Sequence, residues 1–276
     1  MGLLEFIINI YMLAFALRLF IPTASSFSEN PIQRGLYNST EPVLRPIRQM
    51  MIRGEPKFDW SPMFAIGFLV IIRGFLIASL SGAPALFGVI SSTIEIFDFL
   101  VNALTILFLG IFFISIDSPF GFSTIGHMMY MVADIFLGPI RRFTGRVSGR
   151  PDPSPIIGIV LLSIIHGFVI YQADVFLNSD ASGELFRVIL ISLVSQLDFV
   201  FDVLFMVILA RAVLSFFNPD TSSPPFQIVI LYSDPILSPI RKILPSTSGL
   251  DFSPLIAIFI LRFIQSSILP LLLRIQ

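Results

Sequence analysis

Polar residues recur at equivalent positions inside the apolar stretches of the chain. One row contains Asn9, Asn102 and Asp202, and a second row contains Arg73, His166 and Gln265. At about 1.5 Å of rise per helical residue, both rows lie roughly 18–20 Å along their helices, so they are predicted to meet in one polar layer. An unpaired charge at that depth costs at least ~2.5 kcal/mol, which favours an ion pair between Asp202 and Arg73. The layer either bonds helices together or lines a hydrated path for ions or protons.

A second set of charged residues belongs to a string that occurs three times. Each copy ends in Pro-Ile-Arg and has an acidic residue seven positions before the arginine, which gives the pairs Glu41 and Arg48, Asp134 and Arg141, and Asp234 and Arg241. In loops, these residues would form three equivalent docking surfaces for a cytoplasmic partner or for lipid phosphates. Alternatively, each string is a short interfacial helix in which the acid and the arginine form a local salt bridge.

A third motif, Asp-x-Ser-Pro, follows each arginine by ten or eleven residues. Its copies are Asp59, Ser61 and Pro62, then Asp152, Ser154 and Pro155, then Asp251, Ser253 and Pro254. Proline suits the first turn of a helix and a preceding Asp or Ser can cap it, so the motif predicts a helix start. The copies of both motifs are separated by 93 and then 99 or 100 residues. The chain is therefore a tandem repeat.

Six mostly apolar stretches must position these motifs, two in each repeat. They cover 3–20, 63–80, 97–116, 156–171, 199–217 and 255–273, and their lengths match a hydrocarbon core of roughly 30 Å. The predicted fold is an all-α membrane protein with six transmembrane helices, arranged as three tandem helical hairpins of the same orientation with short interfacial helices. The repeats are 1–82, a divergent 93–175, and 193–276, with linkers at 83–92 and 176–192.

The basic residues are distributed unequally between the two sides of the predicted bundle. Eleven Lys and Arg residues lie around the Pro-Ile-Arg strings, whereas the termini and linkers carry only Arg187 and Arg274. The positive-inside rule then places the strings in the cytoplasm and both termini outside. The predicted location is the bacterial cytoplasmic (inner) membrane, or alternatively a plastid membrane in the matching orientation.

Composition narrows the possible functions. Apolar residues make up 55% of the chain and charged residues 13%, against about a quarter charged in soluble proteins. Without cysteine the chain forms no disulfide, Cys-ligated zinc site, iron–sulfur cluster or thioether-linked haem. We expect no cofactor and no metal. A net charge of -1 gives no bulk attraction to nucleic acid. The sequence has no motif for a nucleophile with its base and no phosphate-binding loop, so we do not expect an enzyme.

The third repeat resembles the YGGT family, also called YlmG. The resemblance is carried by Arg211-Ala-Val-Leu-Ser215, Asp234-Pro235, Pro239-Ile240-Arg241 and Gly249-Leu-Asp-Phe-Ser-Pro254. The first repeat keeps Arg18 at the position of Arg211, while the second has Ile111 there. Members of this family commonly carry one or two such units, and this chain has three.

The resemblance implies an assembly role rather than a reaction. Bacterial members are linked to cell division, the envelope or osmotic behaviour, and chloroplast members to nucleoid distribution or haem attachment during cytochrome assembly. The expected function is that of a non-catalytic integral membrane scaffold or assembly factor, in contact with lipids and with other membrane proteins of a larger complex. The alternative is a channel or transporter component that uses the polar layer.

Overall fold

The computed structural model describes residues 2–20, 31–51, 59–82, 84–116, 124–144, 151–177, 184–216, 224–243 and 252–274. These residues form nine α-helices and no strand. The helices are α1 (Gly2–Phe20), α2 (Pro31–Met51), α3 (Ser61–Ser81), α4 (Ala85–Ser115), α5 (Thr124–Thr144), α6 (Ser154–Leu177), α7 (Leu185–Phe216), α8 (Pro224–Ile243) and α9 (Ser253–Arg274).

Each Pro-Ile-Arg string lies in a helix and not in a loop, which agrees with the helical one of the two predicted alternatives. The strings occupy the C-terminal halves of α2, α5 and α8, which contain the internal prolines Pro42, Pro46, Pro139, Pro235 and Pro239. An internal proline removes a backbone hydrogen bond and normally argues against a helix. Here the cost is offset by packing, because a leucine four residues before each motif arginine is fully buried. These leucines are Leu44, Leu137 and Leu237.

The three repeats bury the same three positions. The first helix of each repeat contributes a large apolar residue, the motif helix contributes the leucine, and the third helix contributes a small residue. The sets are Phe15, Leu44 and Ala65; Phe108, Leu137 and Gly158; and Ile208, Leu237 and Ala257. A Cβ atom on Gly158 would lie 2.8 Å from side-chain atoms of Leu137 and Phe108. The small residue therefore lets two large side chains reach the helix backbone.

The helices α4 and α7 extend into the segments that the sequence predicts to be linkers. They contain 31 and 32 residues, or about 46–48 Å at the usual helical rise. Gly, Ser and Ala made these segments resemble linkers. These segments are helical because they pack closely on a neighbouring helix, where Gly74 of α3 and Gly167 of α6 leave room for the backbones of α4 and α7. A Cβ on Gly74 would lie 2.5 Å from Val89 Cα, and one on Gly167 would lie 2.8 Å from Ile189 Cα.

The chain divides into two compact units, Met1–Phe97 and Asp98–Gln276. In the first unit, α1, α2 and α3 pack against one another, and the N-terminal part of α4 packs on α3. In the second unit, α6 packs against α5 and α7, while α7, α8 and α9 contact one another. The main core of the second unit contains residues from α4 to α9.

Three helices of the described residues are long and apolar enough to cross a membrane. They are α3 over Ser61–Leu80, α4 over its whole length and α6 over its whole length. Two further apolar segments, Ile7–Arg18 of α1 and Ser253–Ser267 of α9, are shorter. The predicted all-helical class is confirmed for the described residues, together with these three candidate spans.

Two glycines of α3 provide a matched test of the close contact with α4. A Cβ atom on exposed Gly67 would have no neighbouring atom within 4 Å, so Gly67→Ala should stabilise the helix by about 0.5–1 kcal/mol. Gly74→Ala should instead destabilise the protein by about 1–3 kcal/mol, because the backbone at Val89 must move. Thermal unfolding in detergent measures both effects. Equal midpoints for the two variants would contradict the close approach.

Candidate functional site

In the first repeat, the motif arginine binds two carboxylates. Arg48 Nη1 lies 2.9 Å from Glu41 Oε1, and Arg48 Nη2 lies 2.6 Å from Asp59 Oδ2. The other oxygen of Asp59 accepts hydrogen bonds from the backbone N–H of Ser61 at 3.0 Å and from its hydroxyl at 2.6 Å. We call this arrangement of two acids and one arginine the clasp. It ties the C-terminal part of α2 to the first residue of α3.

The clasp recurs in the second repeat, and the pair of arginine and first acid recurs in the third. Arg141 pairs with Asp134, and its Nε donates to Asp152 Oδ2 at 2.8 Å. Asp152 in turn accepts the backbone N–H of Ser154 at 2.9 Å. In the third repeat Arg241 Nη1 lies 3.4 Å from Asp234 Oδ1, whereas the predicted Asp251 lies outside the described residues. Ser253 and Pro254 are buried at the start of α9.

In two repeats, a second arginine from the preceding helix reaches the first acid of the clasp. Arg18 lies 3.6 Å from Glu41, and Arg211 lies 3.7 Å from Asp234. Each of these guanidinium groups also lies over an aromatic ring of the motif helix, Tyr37 at 5.0 Å for Arg18 and Phe226 at 4.9 Å for Arg211. Sequence reasoning found these two arginines only through the family resemblance and assigned them no partner.

The second repeat replaces this arginine with buried Ile111. There the end of α4 is joined to the start of α6 by a neutral bond, because the backbone N–H of Asp152 donates to Ser115 Oγ at 3.1 Å. The motif arginine itself lies over an aromatic ring, with Arg141 Cζ at 5.7 Å from the centre of Tyr130. The second clasp therefore has one positive charge fewer at its first acid.

Hydrogen bonding lowers the pKa of the second acid in the first two clasps. Burial raises the pKa of Asp59, but hydrogen bonds from Ser61 and Arg48 outweigh burial, so the pKa lies below its ordinary value. The pKa of Asp152 is likewise lowered, because bonds from Ser154 and the charge of Arg141 overcome the effect of burial. For Arg48, burial lowers the pKa, and the two bound carboxylates raise it above its ordinary value.

These contacts favour a structural role for the motif arginines. The side chain of Arg141 is only 9% exposed, and all three motif arginines pair with an acid of their own repeat. A guanidinium that is already bound to carboxylates has few donors left for a phosphate or a partner carboxylate. The predicted salt bridge seven residues apart forms in every copy, and it lies within the motif helix.

Part of the predicted polar layer lies at His166. Its Nε2 is 2.6 Å from Asp98 Oδ1, and its Nδ1 is 2.6 Å from Ser192 Oγ. A carboxylate only accepts hydrogen bonds, so Nε2 donates to Asp98, and Nδ1 is hydrogen-bonded to the Ser192 hydroxyl. This chain of bonds joins α4, α6 and α7.

Gln265 is at the centre of a second polar group, between α7 and α9. Its Nε2 donates to Asp198 at 2.6 Å and to Asp202 at 3.0 Å, while its Oε1 accepts from Arg262 Nη1 at 2.6 Å. Arg262 Nη1 also lies 3.0 Å from Asp202. The Arg262 and Asp202 side chains are 44% and 50% exposed. We call these four residues the α7–α9 cluster.

The other predicted layer residues have partners that the sequence did not suggest. Arg73 pairs with Glu95 in the N-terminal half of α4, and Asn102 accepts a hydrogen bond from Gln196 at 3.3 Å. Arg73 and Asp202, predicted to pair with each other, thus each bind another side chain. Asn9 is exposed on α1.

Several partners were missed by sequence reasoning. They are Glu95, Ser192, Gln196 and Arg262. The first three lie in or beside the predicted linkers, where the sequence analysis predicted no membrane helix. Arg262 could have been found from its spacing, because it lies one turn before Gln265 on the same helix.

The second clasp can be tested with Asp152→Asn. At neutral pH we expect a loss of about 2 kcal/mol, the usual contribution of hydrogen bonds to a charged group, while Glu184→Gln at an exposed site should change stability by less than ~0.5 kcal/mol. Because the pKa of Asp152 is lowered in the folded protein, its contribution is present above about pH 4 and is lost as the pH falls further. Urea unfolding in detergent at several pH values should show the two variants converging in acid.

The hydrogen bond at His166 can be tested with two serines of α7. Ser192 is buried against the imidazole, whereas Ser195 is exposed on the same helix. Ser192→Ala should cost about 1 kcal/mol, the usual range for such bonds between membrane helices. Ser195→Ala should be close to neutral in the same unfolding measurement. A neutral Ser192→Ala variant would contradict the proposed bond.

Comparison with known proteins places these repeats in a family. The CCB3/YggT family model matches the chain three times, over residues 1–80, 90–173 and 190–272. No solved structure matches. The family is membrane-associated, in agreement with the apolar helices.

Individual relatives match about half of the chain. "Uncharacterized protein YggT" of Escherichia coli strain K12 is 30% identical over 141 residues, which cover 51% of this chain and 70% of the relative. An "Uncharacterized protein" of Haemophilus influenzae is 28% identical over 141 residues, covering 51% of this chain and 71% of the relative. Each relative is thus matched over most of its own length by half of this chain. The three family matches cover nearly all of the sequence, and the chain belongs to the CCB3/YggT family.

Proposed function

We propose that this protein is a non-catalytic scaffold or assembly factor of a larger membrane complex. In this proposal α1, α3, α4, α6, α7 and α9 cross the bilayer, as three hairpins of one orientation. The motif helices α2, α5 and α8 then lie at the cytoplasmic face of a bacterial inner membrane, or at the matching face of a plastid membrane, and both termini lie outside. The distribution of basic residues supports this orientation.

The observation that carries the proposal is the way in which each repeat pairs its charged residues internally. The clasp acids bind arginines of their own repeat, and His166 is held between Asp98 and Ser192. Side chains used in this way position helices, and they are poorly placed for a reaction that needs an accessible acid, base or nucleophile. Three similar rigid units would suit the alignment of several neighbouring proteins.

The α7–α9 cluster is the most suitable site for a partner. It contains two carboxylates and one arginine, so it carries a net charge of -1 when its acids are ionised. Its exposed ion pair lies among apolar residues such as Met206. A charged group is costly against lipid, so we propose that a partner helix covers the cluster and supplies a basic or hydrogen-bond-donating side chain.

The same cluster supports a second candidate function. Exposed carboxylates inside a membrane commonly line an ion or proton path, so the protein could be a channel or transporter component. The Asp98–His166–Ser192 chain adds a group capable of proton transfer in the second repeat. The two proposals differ in whether the purified protein alone conducts ions.

Photo-crosslinking in native membranes tests the scaffold proposal. A photoreactive residue in place of Met206, one turn from Asp202 on α7, should yield a defined protein adduct. The same residue at Phe168, on an exposed apolar face of α6, should yield mainly lipid adducts. Asp202→Asn should reduce the Met206 adduct several-fold by removing the charge that binds the partner.

The outcome that overturns the scaffold proposal is ion flux. Purified protein in liposomes should show no specific conductance, as measured with a pH- or potential-sensitive dye. Conductance that Asp202→Asn abolishes, together with only lipid adducts at Met206, would establish the channel function instead.

A further inference from the structure

The most exposed large apolar side chains of the described residues occupy one position of the repeat. Met50 is 87% exposed, Phe143 is 92% exposed and Ile243 is 81% exposed. Each lies two residues after a motif arginine, at the C-terminal end of its motif helix. A single exposed apolar residue is ordinary on a protein surface. The same exposure at three equivalent positions indicates a common environment.

These residues belong to an apolar stripe on the outer face of each motif helix. The stripe continues towards the N-terminus at intervals of four residues, through Pro42 and Pro46 in α2, Ile135 and Pro139 in α5, and Pro235 and Pro239 in α8. A step of two residues rotates the side chain by about 200° around the helix axis, so the last stripe residue points away from the motif arginine. The arginine and the buried leucine face the protein, and the stripe faces outward.

Basic side chains flank the stripe. Arg142 and Lys242 directly follow the motif arginine in α5 and α8, and Arg45 lies one turn before the motif arginine in α2. All three are exposed. An apolar face with basic residues at its edge is the pattern of a helix that lies at a membrane surface, with phosphates at its margin.

The clasp places the stripe at the correct depth for such contact. The bond from Arg48 to Asp59 holds the end of α2 beside Ser61, where the apolar span of α3 begins. The bond from Arg141 to Asp152 does the same at Ser154 for α6. Met50 and Phe143 therefore lie near the ends of candidate membrane spans.

We propose that the three motif helices bind anionic phospholipid, with Met50, Phe143 and Ile243 inserted among the upper acyl chains and Arg142, Lys242 and Arg45 bound to headgroup phosphates. The lipid contact thus belongs to the residues beside the motif arginines, because each motif arginine is already paired with an acid of its own repeat. This surface is independent of whether the protein is a scaffold or a channel.

Tryptophan fluorescence in reconstituted liposomes of phosphatidylethanolamine and phosphatidylglycerol tests the insertion. The chain has one tryptophan, so Trp60→Phe provides a silent background for Met50→Trp, Phe143→Trp or Ile243→Trp in the full chain. Each indole should be quenched best by lipids brominated near the top of the acyl chain. Phe68→Trp, on the exposed face of α3, is the matched control and should respond best to bromine near the bilayer centre.

The contrary result is quenching of the three indoles by aqueous iodide and not by brominated lipid. Their surface would then face water in the absence of another protein, and the proposal would fail. The headgroup contact has a separate readout in the number of phosphatidylglycerol molecules retained by the purified protein in native mass spectrometry. Arg142→Gln combined with Lys242→Gln should reduce that number at least two-fold. Arg187→Gln, at an exposed position of α7, should not reduce it. Equal retention by both variants would overturn the assignment of the basic residues.

Discussion

The first two repeats depend on one electrostatic constraint, in which a partly buried arginine must satisfy two carboxylates at once. A pair of this kind adds little net stability compared with apolar residues of similar volume, but leaving one member unpaired is costly. The main effect of the ion pair is therefore to fix the relative positions of two helix ends. The arginine can reach both acids only if the end of the motif helix lies beside the start of the next helix, as Arg48 does between Glu41 and Asp59.

This constraint also explains the composition of the motif helix. The acid, the leucine and the arginine, at intervals of three and four residues, lie on one side of the helix, where Leu137 packs on Gly158. Prolines that would be expected to break the helix lie on the opposite side, as Pro139 does. The inner face makes the contacts that hold the helix in place. The outer face makes none of these contacts, so it can be apolar and can contact lipid.

The sequence predicted the repeated features better than the contacts between helices. Spacing alone placed Glu41 with Arg48 and placed the helix start beside Asp59, because both relations are local. The partners that Arg73 and Asp202 have within their own units, Glu95 and Arg262, were not predicted, since partners between helices depend on which helices are neighbours, and hydropathy does not specify this. The sequence left open whether the motif strings form loops or short helices, because their prolines oppose a helix while the burial of Leu44 and its equivalents favours one.

The substitution of arginine by Ile111 shows how a duplicated unit can diverge. Glu41 and Asp234 each face two guanidinium groups, and their side chains are 16% and 41% exposed, whereas Asp134, which faces one, is 52% exposed. Water can therefore solvate the Asp134 carboxylate, which has no second cation beside it among the described residues. In a tandem repeat, one copy can thus carry a packed apolar side chain at the position where the other two copies carry an ion-pairing arginine.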